Sequence, residues 1–356
     1  MTLEQVIGGA LVLLFLADIF LTVLYARAGT GLLAPHLVRA IWASLQGAAE
    51  LFGRRRRAIL SLAGPLIVIS LIGFWALGLT VGAALVIRPE LGTAIRPSSG
   101  DTPTDFVTAL LVAGNSLSIV GGGSYAPHTT GTRLLFLVNS LIGASVLSLV
   151  LSYLVQVYSA LRERNALALK IHLMTGGTGD AAAMLARLAP GGDVSNAGSE
   201  LGNLARSLAA TKEAHHFYPL LFYFRFEETL YAVPRFSFVI LDLVTLIETA
   251  LDRNRYATLA RSASVASLRE GTLLLLDTLD RGLPSATKRQ DDGTHAGRLR
   301  QSYTAASDTL AQAGIGTRCD GLDAYGAERG TWEPLIERVA SALGYAGEEI
   351  DCRRPG

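Results

Sequence analysis

Two long runs without a charged residue dominate the hydrophobic pattern of this chain. One extends from Ala58 to Ile87 and the other from Leu134 to Leu161. At about 1.5 Å per residue, a helix over either run exceeds the roughly 30 Å hydrocarbon core of a bilayer. Residues 5–26 form a third apolar run that is interrupted only by Asp18. The pattern therefore predicts three membrane-spanning helices.

Arginines in the short loops predict how these helices are oriented. A block of four lies between the first two spans: Arg54, Arg55, Arg56 and Arg57. Basic residues also follow the third span, and basic loops stay preferentially in the cytoplasm. We therefore expect residues 27–57 and the chain after about 162 to be cytoplasmic, with the N-terminus outside the cell membrane. The four arginines are expected to contact anionic lipid head groups, at about 1 kcal/mol each, rather than nucleic acid.

The polar interruptions before residue 58 allow two interpretations each. Asp18 is costly within a span, so it is either part of a proton or ion relay or, the favoured interpretation, a carboxyl hydrogen-bonded to a neighbouring helix, with Thr22 as a further partner. Residues 34–53 predict an amphipathic helix that lies on the inner membrane surface or packs on the C-terminal part of the chain. Residues 1–57 thus form an N-terminal helix with a basic, amphipathic linker.

Three consecutive glycines lie between the last two spans. Inside a helix or strand each glycine costs roughly 0.5–1 kcal/mol relative to alanine. At membrane depth, irregular backbone is tolerated only where it is buried in protein or lines a water-filled cavity. We therefore expect this segment to present main-chain carbonyls to an ion. The residues expected to bind ions are Ser118, Ile119, Val120, Gly121, Gly122 and Gly123.

Residues 101–117 predict a short helix that enters the membrane without crossing it. Thr102 is expected to cap it, Pro103 to occupy its first position and Asp105 to complete a capping box. The apolar part that follows is too short to span a bilayer. The C-terminal end of such a helix carries partial negative charge. We therefore expect it to stabilise a cation near the membrane centre.

The order of these elements resembles the pore module of the potassium channel family, which has an outer helix, a pore helix, a filter loop and an inner helix. The family's filter reads Thr-x-Val-Gly-Tyr-Gly-Asp with a proline three residues later, where this chain has residues 118–124 and Pro127. Gly143, which lies 20 residues after Gly123, matches the family's gating-hinge glycine. The resemblance covers roughly residues 58–162 and implies a channel that coordinates K⁺ through carbonyls.

This filter differs from the family's at Ser118 and Ile119, which replace its usual threonines, and at two further positions. Gly122 replaces an aromatic residue whose ring packs behind the filter, and Ser124 replaces an acid that braces it. Both groups keep the family's filter at a fixed width. The resemblance therefore implies conduction of K⁺ or another monovalent cation with relaxed selectivity, and no further cofactor.

The resemblance also implies the assembly. One filter loop per chain does not enclose a pore, so a homotetramer is expected. Gly143 is the expected hinge, and Asn139 and Ser140 either line the pore or form hydrogen bonds between helices. The predicted parts are a pore module at 58–162, with outer helix 58–87, pore helix and filter 101–127 and inner helix 131–162, and a C-terminal domain at 163–356.

The C-terminal domain has a mostly helical pattern, so the predicted fold class is an all-α membrane protein with a helical cytoplasmic domain. A net charge of +1 indicates no strongly charged partner. His215 and His216 are interpreted as surface or capping residues, because no third ligand completes a metal-site spacing. No nucleophile or general base has a convincing pattern, so an enzyme is not predicted, and no motif indicates a cytoplasmic ligand or partner.

A second hypothesis is a non-conducting membrane sensor or scaffold. It would reuse the same pore architecture and signal through its cytoplasmic domain. The glycines and Pro127 favour the channel, whereas the departures at Gly122 and Ser124 keep the second hypothesis open.

Overall fold

The computed structural model describes residues 2–25, 31–52, 56–118, 123–283, 295–318 and 320–353. The described chain is mostly helical, with one two-stranded sheet made of β1 (Ile95–Pro97) and β2 (Tyr125–Pro127). The helices are α1 (Leu3–Ile19), α2 (Ala34–Leu51), α3 (Arg56–Ser61), α4 (Ala63–Ile87), α5 (Phe106–Leu117), α6 (Thr130–Met174), α7 (Ala181–Leu188), α8 (Ala197–Phe217), α9 (Val233–Thr249), α10 (Ala257–Ala260), α11 (Ala263–Gly282), α12 (His295–Gln312), α13 (Gly321–Ala342) and α14 (Gly347–Ile350).

Three helices are long and apolar enough to cross a membrane. They cover Leu3–Leu24, in which a π-helical turn continues α1, Ala63–Glu90, in which a short 3₁₀ turn follows α4, and Thr130–Met174, which is α6. The three apolar helices that the hydrophobic pattern predicts are therefore confirmed.

The ends of these helices differ from the predicted bounds. α6 continues to Met174 rather than ending at 162, because the arginines there end the apolar run but are themselves good helix formers. The second apolar run begins in α3, and a break at Leu62 separates α3 from α4. Pro65 lies in the first turn of α4, where its missing N–H leaves no hydrogen bond unmade.

The chain divides into two compact units. Met1–Ile41 and Pro65–Tyr158 form the first, which we call the apolar unit, and Trp42–Gly64 and Ser159–Gly356 form the second, the C-terminal unit. The C-terminal unit thus contains an earlier stretch of the sequence that ends with the first two residues of α4. α6 contributes residues to both units as one uninterrupted helix.

α9 forms the core of the C-terminal unit. All but two of its seventeen residues are buried, and α7, α11 and α13 pack against it. Pro234 lies at its N-terminal end, where proline fits a helix. The strongly apolar sequence of α9 therefore forms a buried helical core.

Candidate functional site

The structure describes the two ends of the glycine-rich segment. Ser118 and Gly123 are among the described residues, whereas Ile119, Val120, Gly121 and Gly122 lie outside them. The structure describes the elements on either side of this segment, α5 before it and β2 after it.

α5 begins at an aspartate cap. The Oδ1 atom of Asp105 accepts hydrogen bonds from the main-chain N–H groups of Val107 (2.9 Å) and Thr108 (3.0 Å), and its Oδ2 atom accepts one from the Thr108 hydroxyl (2.7 Å). The predicted cap at Thr102 is therefore wrong. The helix starts later because Asp105 satisfies two of the N–H groups that every helix start leaves unpaired.

α5 ends immediately before the glycine-rich segment. The N–H of Ser118 donates to the carbonyl of Gly114 (2.9 Å), and the backbone of Ser118 is extended. The last carbonyls of α5, which carry the partial negative charge of a helix C-terminus, therefore lie at the start of the segment. The apolar face of α5 packs against α4 and β1 in a buried cluster. The cluster consists of Ala83, Ala84, Ile87, Leu91, Ile95, Ala109, Val112 and Ala113.

The chain after the segment returns to the same part of the unit. β2 pairs antiparallel with β1, with Pro127 opposite Ile95, and the N–H of His128 donates to the carbonyl of Ala94 (2.8 Å). Gly123 lies against Asn115 of α5, because a Cβ atom there would come within 2.7 Å of the Asn115 amide nitrogen. Both ends of residues 118–123 are thus anchored.

α6 contacts α5 through two of the three predicted pore residues. The Asn139 amide donates to the hydroxyl of Ser116 (2.9 Å), and both side chains are buried. A Cβ atom on Gly143 would overlap the carbonyl oxygen of Leu117. Ser140 is exposed. Asn139 therefore forms a hydrogen bond between α6 and α5.

Asp18 is fully buried in the apolar unit and joins three helices. Its Oδ1 atom accepts from the N–H groups of Leu33 (2.7 Å) and Ala34 (3.3 Å), at the start of α2, and its Oδ2 atom accepts from Trp75 Nε1 of α4 (2.8 Å). All three donors are uncharged, and Thr22 is not among them. The carboxyl therefore ties neighbouring helices together, which is the second of the two interpretations.

The arginine block and the part of α2 from Trp42 onward belong to the C-terminal unit and contact the rest of it. Arg54 and Arg55 lie outside the described residues, Arg56 is exposed, and Arg57 forms an ion pair with Glu349 (2.8 Å). In α2, Trp42 is fully buried with its ring 5.4 Å from that of Tyr223, and the Gln46 amide donates to the carbonyl of Ala342 (2.9 Å). The C-terminal half of α2 therefore packs on protein rather than lying free.

Sequence reasoning missed a buried charge network in the C-terminal unit. Arg329 donates to Glu333 through two nitrogens (3.0 and 3.2 Å), to Asp351 (2.6 Å) and to the hydroxyl of Tyr325 (2.9 Å). Burial lowers the pKa of the Arg329 guanidinium. Tyr325 and the surrounding carboxylates, among them Asp242, raise this pKa by more than burial lowers it, so the net shift is upward.

The network continues to the end of the described chain. Arg353 pairs with Asp242 (3.0 Å) and with Asp180. In the sequence, this network is indicated by the i, i+4 spacing of Arg329 and Glu333, but the same spacing is typical of an exposed helix. The network therefore joins α9, α13 and the residues after α14.

Of the surface and capping roles expected for His215, the surface role is wrong. His215 is fully buried, its Nδ1 atom lies 2.9 Å from the carbonyl of Thr211, and its ring stacks on Phe222. Burial, together with the nearby charge of Arg164, lowers its pKa to about 3, so the imidazole is neutral near pH 7. In the part of the chain that the structure describes, no group of three or more His, Cys, Asp or Glu side chains is arranged to hold a metal.

Comparison of the chain with family models, with known proteins and with solved structures gives no match. The fold and the site define a mostly helical protein with three helices able to cross a membrane. In its apolar unit, a helix and a strand hold the two ends of a glycine-rich segment.

Proposed function

We propose that this chain forms a homotetrameric cation channel of the potassium-channel type in a cell membrane. The observation that carries the proposal is the anchoring of residues 118–123 at both ends. α5 and its cluster with α4 hold one end, and the pairing of β2 with β1 holds the other. A glycine-rich loop with fixed ends can present its carbonyls in place of an ion's hydration shell.

The chemistry of this loop favours cations. Main-chain carbonyls carry partial negative charge, and the C-terminal end of α5 adds to it at Leu117. The permeant ion is K⁺ or another monovalent cation. Because Gly122 and Ser124 lack the ring and the carboxylate that stiffen the family's filter, we expect relaxed discrimination between K⁺ and Na⁺.

The exposure of α6 supports assembly of several copies. Only 11% of the most apolar stretch of α6 is buried within one chain. Large apolar side chains, among them Leu134, Leu137 and Leu141, are exposed on it. An apolar surface of this kind is covered by lipid or by another protein surface. Four copies around an axis would supply the four loops that a carbonyl filter needs.

The arginine distribution supports the orientation. The N-terminus lies outside, and the C-terminal unit lies in the cytoplasm, with the arginines at 54–57 near the inner membrane surface. Part of this block then contacts lipid head groups while Arg57 pairs with Glu349.

Single-channel recording from the purified protein in planar lipid bilayers tests this proposal. With K⁺ on one side and Na⁺ on the other, we expect cation current whose reversal potential is shifted towards that of K⁺ but falls short of it. Well-folded tetramers that carry no current would contradict the proposal and favour the non-conducting sensor. A reversal potential set by the anion would contradict it as well.

A further inference from the structure

The segment Pro219–Arg225, which we call the coupling segment, is buried over most of its length. A 3₁₀ helix covers Pro219–Tyr223, and its side chains from Leu220 to Tyr223 are buried, as is Phe224. A short buried segment cannot satisfy all its main-chain carbonyls internally, so it needs partners elsewhere.

Arg164 of α6 supplies two of these partners. Arg164 is 2% exposed, and its guanidinium donates to the carbonyls of Leu221 (3.0 Å) and Phe224 (2.9 Å). Hydrogen bonds from a charged donor are about twice as strong as those between neutral groups. The coupling segment is therefore fixed to α6, and α6 is the same helix that carries Asn139 and Gly143.

The coupling segment also packs on the start of α4. Gly64 is the second residue of α4, and a Cβ atom on it would lie 2.6 Å from the ring of Phe224. The ring therefore rests directly on the backbone, and glycine is what allows the contact. Next to it, the ring of Tyr223 packs on Trp42 of α2.

Arg225 connects the other end of the coupling segment to the body of the C-terminal unit. Its guanidinium lies 4.3 Å above the ring of Tyr345 and donates to the carbonyls of Gly344 (3.3 Å) and Arg57 (3.4 Å). One segment thus contacts α4, α6 and the loop between α13 and α14.

We infer that the coupling segment transmits conformational changes of the C-terminal unit to α4 and α6 and so sets the open probability of the channel. The inference rests on the proposed function. Arg164 acts as a positioning residue, because its hydrogen bonds to the carbonyls of Leu221 and Phe224 hold the segment against α6. Small shifts of packed helices are a common form of switching, and a continuous helix carries such a shift along its length.

The test is single-channel recording from full-length protein with Arg164→Met. Loss of two charge-assisted hydrogen bonds is expected to change the open probability by about tenfold or more. Single-channel conductance and reversal potential should remain those of the wild type. The matched control is Arg162→Met, which removes an exposed arginine two residues earlier on the same helix and should leave the open probability unchanged.

Gly64→Ala is a second variant that does not depend on Arg164. Its methyl group pushes against the Phe224 ring, whereas Gly73→Ala in the same helix has no atom within 4 Å and is its control. Because both sites act on Phe224, the effects of Arg164→Met and Gly64→Ala on open probability should not add.

The outcomes separate the two proposals. A wild-type protein that carries no current overturns the channel proposal and the coupling inference with it. A conducting wild type whose open probability is unchanged by both Arg164→Met and Gly64→Ala overturns only the coupling inference. If Arg164→Met does not assemble, as judged by size-exclusion chromatography, Gly64→Ala decides alone.

Discussion

Replacing Gly143 with alanine is expected to abolish most of the single-channel current. The added methyl group would overlap the carbonyl oxygen of Leu117, the last residue of α5. That atom belongs to the backbone and cannot turn aside like a flexible side chain. The end of α5 and the glycine-rich segment that follows must therefore move, at a cost of about 1–3 kcal/mol of strain.

The matched control is Gly131→Ala, because Gly131 lies in the first turn of the same helix and a Cβ atom there meets nothing within 4 Å. It should conduct like the wild type. The resemblance to potassium channels assigns Gly143 a hinge role instead, which predicts a changed open probability with full conductance. Wild-type conductance in Gly143→Ala would therefore contradict the packing role described here.

Replacing Arg329 with methionine is expected to destabilise the C-terminal unit by about 3–5 kcal/mol, because removing one partner of a buried ion pair leaves uncompensated charge. Arg329 is 3% exposed, and its removal takes away the guanidinium that pairs with the buried carboxylates of Glu333 and Asp351. Urea unfolding of the full-length protein in detergent measures the loss as a lower transition midpoint.

Arg338→Met on the same helix provides the comparison. Arg338 pairs with Asp280 (2.9 Å), but its side chain is 44% exposed, and exposed pairs contribute about 0–1 kcal/mol. Its variant should unfold near the wild-type midpoint. Equal midpoints for Arg329→Met and Arg338→Met would show that the buried network does not hold the unit together.

The three apolar helices are predictable from the sequence because hydrocarbon excludes charge over about 20 residues. The bounds of these helices are less predictable. The arginines after Leu161 mark where the apolar run ends, yet nothing in them ends a helix, and α6 continues to Met174. At α5, Thr102 and Asp105 are both good capping residues, and only the folded geometry selects Asp105.

The contacts of the candidate site depend on tertiary packing that no local pattern contains. Asp18 signals that a partner is needed, but not that Trp75 and the start of α2 supply it. Gly143 matches a hinge position by spacing, while its contact with Leu117 follows only from how α6 packs on α5. Trp42 lies in the predicted amphipathic helix, and its packing against the ring of Tyr223 follows only from the folded structure.

The central claim is that ions pass through carbonyls of the glycine-rich segment, and the conductance of Gly121→Ala tests it most directly. Gly198→Ala, at a position with no atom within 4 Å of the added methyl group, is the control and should carry wild-type current. Gly121→Ala should assemble like the wild type and carry no K⁺ current, because a Cβ atom restricts the backbone that the loop requires. Wild-type conductance and reversal potential in Gly121→Ala would contradict the claim.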